Sequence, residues 1–177
     1  MRASSAPILS TGLLAAALLA GCAGMLSGDP AAVATLQPTT GSTVSGTVRF
    51  VQSGGQVAVT GEVRGLKPNA EHGFHVHEKG DCSSGDGMSA GGHFNPGGQP
   101  HGQHAQGAHH AGDLLSLKAD AAGTAKISFT TPAVTVGQDA TDVVGRGLIV
   151  HRDADDYTTQ PTGNAGPRLA CAVITRA

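Results

Sequence analysis

Apolar and polar positions alternate with period two along Thr43-Val44-Ser45-Gly46-Thr47-Val48-Arg49-Phe50, and again along Gln56-Val57-Ala58-Val59-Thr60-Gly61-Glu62-Val63. That is the pattern of strands with one buried face. Ser53-Gly54-Gly55 between them is a hairpin signal. Leu114 to Leu117 and Ala125 to Thr130 bracket a second turn, Asp120-Ala121-Ala122-Gly123, and Gly147 to His151 and Leu169 to Ile174 add short apolar runs. No amphipathic helix of useful length appears. The pattern predicts an all-β, antiparallel sandwich or barrel. There is no internal repeat.

One stretch does not fit. From Glu78 to Gly112 no periodic strand is visible, and ten of these 35 residues are Gly. A loop this long has little apolar surface to offset its conformational entropy, so something else must order it. Metal ligands and a disulfide are two such constraints.

Composition sharpens this. The chain has 177 residues, 14% charged and 3% aromatic, with 27 Gly, one Tyr and no Trp. The formal net charge is -2. No basic stripe exists, so nucleic acid is not an expected partner. All nine His lie between His72 and His151. So uneven a distribution points to metal chemistry. His75-Val76-His77 on a strand would direct two imidazoles to the same side. His93, His101, His110 and Asp113 follow through the long loop, and His151 ends the run Gly147-Leu148-Ile149-Val150. Imidazole-only coordination suits Cu(II), and a closed set of His and carboxylate suits Zn(II).

Gly73-Phe-His-Val-His-Glu78, Gly91-Gly-His-Phe-Asn-Pro96, His110-Ala-Gly-Asp-Leu114 and Gly163-Asn-Ala-Gly-Pro-Arg-Leu-Ala-Cys171 together resemble copper–zinc superoxide dismutases, of the bacterial periplasmic, lipoprotein type. The resemblance runs from about Thr43 to the C-terminus. It implies an Ig-like, Greek-key β-barrel or sandwich with long metal-binding and electrostatic loops, this enzyme being itself an example of the sandwich architecture. It implies one copper and one zinc per subunit. It also implies dismutation of superoxide to dioxygen and hydrogen peroxide by a redox-cycling copper beside a structural zinc, protecting the cell envelope. By position, His75, His77, His93 and His151 look like copper ligands, and His93, His101, His110 and Asp113 look like zinc ligands, with His93 bridging. His109 and His110 are adjacent and either could bind; the three-residue step to Asp113 selects His110 by resemblance. Asp155 resembles an aspartate that orients a copper-ligand and a zinc-ligand histidine, here His75 and His101. Arg168 resembles the substrate-guiding arginine, placed with His93 among the catalytic residues. Cys82 and Cys171 are implied to pair. His72 matches a structural, hydrogen-bonded histidine. His104 and His109 have no role in the resemblance and read as solvated loop residues or weak adventitious ligands. Tyr157 to Pro161 lacks the Lys and Glu cluster with which eukaryotic members steer substrate, leaving steering to Arg168.

The N-terminus reads as an address. Arg2 precedes an apolar run, Leu13 to Ala20, too short to span a bilayer, and the run closes on Leu19-Ala20-Gly21-Cys22. This resembles the lipobox of bacterial lipoproteins. It implies a signal peptide over residues 1–21, lipidation of Cys22, a flexible tether through residue 40, and a dismutase domain over residues 41–177. An ordinary signal would instead leave Cys22 as a stray thiol. The expected location is the bacterial periplasm or cell envelope, with membrane association only through lipidated Cys22. Bacterial members occur as monomers and as dimers, so a homodimer stays open. The competing reading is a non-catalytic copper/zinc store or copper-delivery module. Every copper ligand is present here, together with an arginine that a store would not need.

Overall fold

The computed structural model describes Met1 and residues 29–177. Its strands are β1 (Ala31–Pro38), β2 (Ser45–Ser53), β3 (Gln56–Arg64), β4 (Glu71–His72), β5 (Phe74–His77), β6 (Leu117–Lys118), β7 (Ala125–Thr131), β8 (Gly147–His151), β9 (Arg168–Val173) and β10 (Thr175–Arg176). A 3-10 turn, Met88–Ala90, is the one helical piece among the described residues. No described helix is long and apolar enough to cross a membrane. The signal segment and Cys22 lie outside the described residues.

The strands form a curled antiparallel sheet, a half-barrel, in the order β5-β8-β9-β1-β2-β3-β7. The hairpin foreseen at Ser53-Gly54-Gly55 joins β2 to β3, with Ser53 opposite Gln56. Its inward positions, Val48, Phe50, Val57, Val59 and Val63, are fully buried with Phe74, Val76, Leu148 and Val150. Each such side chain contributes about 1.5–3 kcal/mol relative to exposure.

Strand β1 corrects the sequence reading, which assigns residues 22–40 to a tether. Ala31–Pro38 instead pairs with β2 on one side and with β9 and β10 on the other. It therefore joins the two halves of the sheet. Its buried positions are Ala32, Ala34 and Leu36. Two alanines among small residues give almost no contrast between faces, so the alternation is hidden from a hydropathy reading.

Two features position the site. The outer edge of β5 is covered by the long loop. Val76 N–H donates to the Gly112 carbonyl at 2.9 Å, and Phe94 N–H donates to the Val76 carbonyl at 2.9 Å. His77 thereby faces His93 and His75 faces Asp113 in isolated bridges. A sheet edge that would otherwise expose unpaired backbone groups is thus satisfied by the loop. The second feature is a bulge where β8 meets β9. Val150 pairs with Ala170, but His151 pairs with Arg168, so Leu169 is skipped. Bulges re-aim side chains next to active sites, and this one sets Arg168 opposite His151.

Candidate metal centre

Strand β5 delivers His75 and His77, the covering loop delivers His93, and the end of β8 delivers His151. Their ring nitrogens lie within 4.8 Å of one another and all four residues are buried. Each ring uses one nitrogen on the protein. His77 Nδ1 donates to the Gly91 carbonyl at 2.9 Å, His151 Nδ1 to the Gly166 carbonyl at 3.0 Å, and His75 Nε2 to Asp155 Oδ2 at 2.7 Å. The opposite nitrogens, His75 Nδ1, His77 Nε2, His93 Nε2 and His151 Nε2, are buried without any hydrogen-bond partner. Four converging buried lone pairs with no donor are costly unless a cation takes them. Burial, with the neighbouring histidines, holds His75 down to about 4 and His151 down to about 3, and His77 well below its ordinary value. These rings are neutral near pH 7 and available as ligands.

A second group, His93, His101, His110 and Asp113, shares His93 and is also buried. Asp113 Oδ1 lies 2.8 Å from His93 Nδ1, 3.1 Å from His101 Nδ1 and 3.4 Å from His110 Nδ1. His110 Nδ1 is 3.3 Å from His93 Nδ1. A tetrahedral ion with bonds of about 2.0 Å has edges of about 3.3 Å, so these atoms already outline such a shell. Asp113 is held in place by the backbone N–H groups of Gly102 and His110, at 3.1 and 2.9 Å, on Oδ2. Burial opposes its charge, yet the bonds from His101 and His93 keep its carboxyl far below the usual range. Burial would likewise lower His101, but contacts with Asp113 and Asp155 raise it to about 9.

Asp155 ties the groups together. Its Oδ2 faces His75 Nε2 at 2.7 Å and its Oδ1 faces His101 Nε2 at 2.9 Å. Gly163 packs directly on this contact at φ +66°; any Cβ there would collide with Asp155 and His101.

Comparison with known proteins decides the family. The family model for copper/zinc superoxide dismutase matches residues 44–174. The chain belongs to the copper/zinc superoxide dismutase family. It is 44% identical over 137 residues to a superoxide dismutase [Cu-Zn] of Paramecium bursaria Chlorella virus 1, covering 74% of this chain and 72% of the relative. It is 37% identical over 168 residues to superoxide dismutase [Cu-Zn] 2 of Aquifex aeolicus (strain VF5), covering 93% and 97%. Among solved structures it resembles the crystal structure of the clock protein EA4, with a TM-score of 0.77 and 38% identity, covering 84% of this chain and 96% of that one.

Copper and zinc are the cofactors of this family, and both residue groups fit an ion, the first by its orphaned nitrogens and the second by its near-tetrahedral spacing. Half-buried Arg168 stands at the rim of the first group. Its guanidinium donates to the Gly87 carbonyl at 2.5 Å and to the Gly91 carbonyl at 2.6 Å. The Gly91 carbonyl therefore accepts from both His77 and Arg168. Arg168 is close enough for its charge to lower His77 and His151 further. The Cys82–Cys171 disulfide, with Cα atoms 5.8 Å apart and 89 residues of separation, pins the same loop to β9. Closing a loop of that length is worth about 4–5 kcal/mol in a chain-entropy estimate.

Sequence reasoning missed several supporting residues. Gln160 clamps His101, accepting from its N–H and donating to its carbonyl, both at 2.9 Å. Tyr157 donates to Glu71 Oε1 at 2.9 Å, sits 3.0 Å from Ser116 Oγ, and its backbone N–H donates to Asp155 Oδ1 at 2.7 Å. Both belong to the segment that in sequence showed only a missing charge cluster. His72 is buried and donates from Nδ1 to the His151 carbonyl at 2.9 Å. His104 and His109 are half-buried and hydrogen-bonded, not freely solvated.

Proposed function

We propose that the chain dismutes superoxide, converting two superoxide anions and two protons to dioxygen and hydrogen peroxide. Four buried, partnerless imidazole nitrogens beside a half-buried arginine carry the reading. His75, His77, His93 and His151 would hold copper, and His93, His101, His110 and Asp113 would hold zinc. Bound copper supplies one-electron redox chemistry that no side chain here can provide. The chain supplies the rest. Arg168 attracts and orients the small anion, a local need in a chain of net charge -2. His93 can hold a proton at Nε2 and give it to the reduced substrate while Nδ1 stays on the zinc side. Asp155 keeps His75 and His101 in register, as partners of ligand histidines do.

The Cys82–Cys171 disulfide supports an extracellular or periplasmic setting, outside the reducing cytosol. A lipid on Cys22 would hold it at the envelope membrane, and homodimer formation remains part of the proposal. The deciding experiment is superoxide dismutation by the copper- and zinc-loaded chain beside Arg168→Ala and His151→Ala. Fast copper-dependent turnover that falls in both variants is expected. Stoichiometric copper binding without turnover would replace the enzyme by a metal store.

A further inference from the structure

We propose that His104 and His109 form a third, solvent-facing metal site, built from two imidazoles and selective for copper(II). The two rings are tilted at 54° with centroids 5.9 Å apart. Within the buried centre, His77 and His151 are 5.6 Å apart and His101 and His110 are 5.5 Å apart. The spacing of the outer pair lies within the 4.0 to 6.4 Å spanned by ring pairs of one donor group, short enough for both rings to reach a single ion.

The ring chemistry matches as well. His104 Nδ1 lies 3.0 Å from the Asp113 carbonyl, and His109 Nδ1 lies 2.7 Å from the His110 carbonyl. A carbonyl only accepts, so both Nδ1 atoms carry the proton and both Nε2 atoms are left with a lone pair. His77 and His151 are built the same way, each giving Nδ1–H to a backbone carbonyl. Ligand histidines fix their tautomer by this device. His104 is also held edge-on against Phe129, with centroids 5.4 Å apart, so its ring is oriented before any ion arrives.

Both residues are half-exposed, unlike the buried ligands. An ion here would keep water in its other positions and exchange with solvent. Imidazole donors rank copper(II) above zinc and the lighter divalent metals. The bound ion would sit on the outer side of the loop whose inner side carries His101, His110 and Asp113. It does not depend on the dismutase activity proposed above.

The test uses the full chain loaded with one copper and one zinc, titrated with further Cu2+ and followed by electron paramagnetic resonance and equilibrium dialysis. A third equivalent with a two-nitrogen signature is expected, distinct from the buried copper. Asn keeps a donor near the Nδ1 position while removing Nε2. His104→Asn and His109→Asn should each weaken the third equivalent by about tenfold or more, and the double variant should abolish it. Retention of the two buried equivalents reports that each variant is folded. Absence of a third equivalent, or a third equivalent of unchanged affinity in both variants, would overturn the proposal.

Discussion

The two halves of the metal centre share His93 and the Asp155 brace, and differ in the rest of their construction. On the His75, His77 and His151 side, two rings lean on neutral backbone carbonyls and one on a carboxylate, and four bare nitrogens face inward. Burial keeps these rings neutral. On the His101, His110 and Asp113 side, a carboxylate joins the donor set, and Asp155 backs His101 from behind. That half is already cross-linked by charge-assisted contacts of 2.8 to 3.4 Å. A neutral set beside an open rim can tolerate a change of ionic charge. An anionic, closed set favours one fixed divalent cation. One arrangement suits redox work and the other suits structure.

Removing the shared residue should break both halves. His93→Ala is expected to lower dismutation by more than about 100-fold, because even supporting partners of ligands cost 10–100-fold. A copper spectrum that remains the same with and without zinc in wild type and variant alike would show that His93 does not couple the sets. Asp155→Asn keeps the shape but loses the charge that joins His75 to His101. Zinc and copper affinity in chelator competition should each fall about 10–100-fold, since Asp155 backs one ring of each set.

Arg168→Ala concerns only the open rim. Turnover at low salt should drop about tenfold and the remaining rate should lose most of its salt dependence, with zinc retention unchanged. A rate that keeps the wild-type salt slope would place steering elsewhere.

The smallest effect is in protons. His101 is raised from an ordinary 6.5 to about 9 in the metal-free chain, whereas His75 and His151 are lowered to about 4 and 3. Zinc uptake alone near pH 7 should therefore release a proton from His101, and copper uptake alone should release none from His75 or His151. Calorimetry in two buffers of different ionisation enthalpy reads this directly. Zinc affinity should rise about tenfold per pH unit until His101 has titrated. The sign for stability is opposite. A raised histidine stabilises the metal-free fold fully below pH 6.5 and loses that contribution as pH passes about 9. Asp113 and Asp155, both depressed, contribute above the ordinary carboxylate range and lose it in acid.

Much of the barrel was legible because Val, Phe and Thr alternate cleanly in β2, β3 and β7. Strand β1 was not, because Ala32 and Ala34 carry too little side chain to mark an inner face. The donor types and their spacing were legible, since His and Asp are chemically distinctive wherever they fall. Their supporters were not. Gln160 acts on His101 across 59 residues and Tyr157 on Glu71 across 86, and neither residue type advertises such a contact.

The sequence by itself therefore determined an all-β chain, a histidine set able to bind two ions, and the family. Tertiary structure alone decided which nitrogen of each ring is bare, because that depends on which carbonyl or carboxylate the other nitrogen meets. It also decided that Arg168 faces His151, because a one-residue bulge sets the register. Proton position and strand register are both fixed by partners distant in sequence.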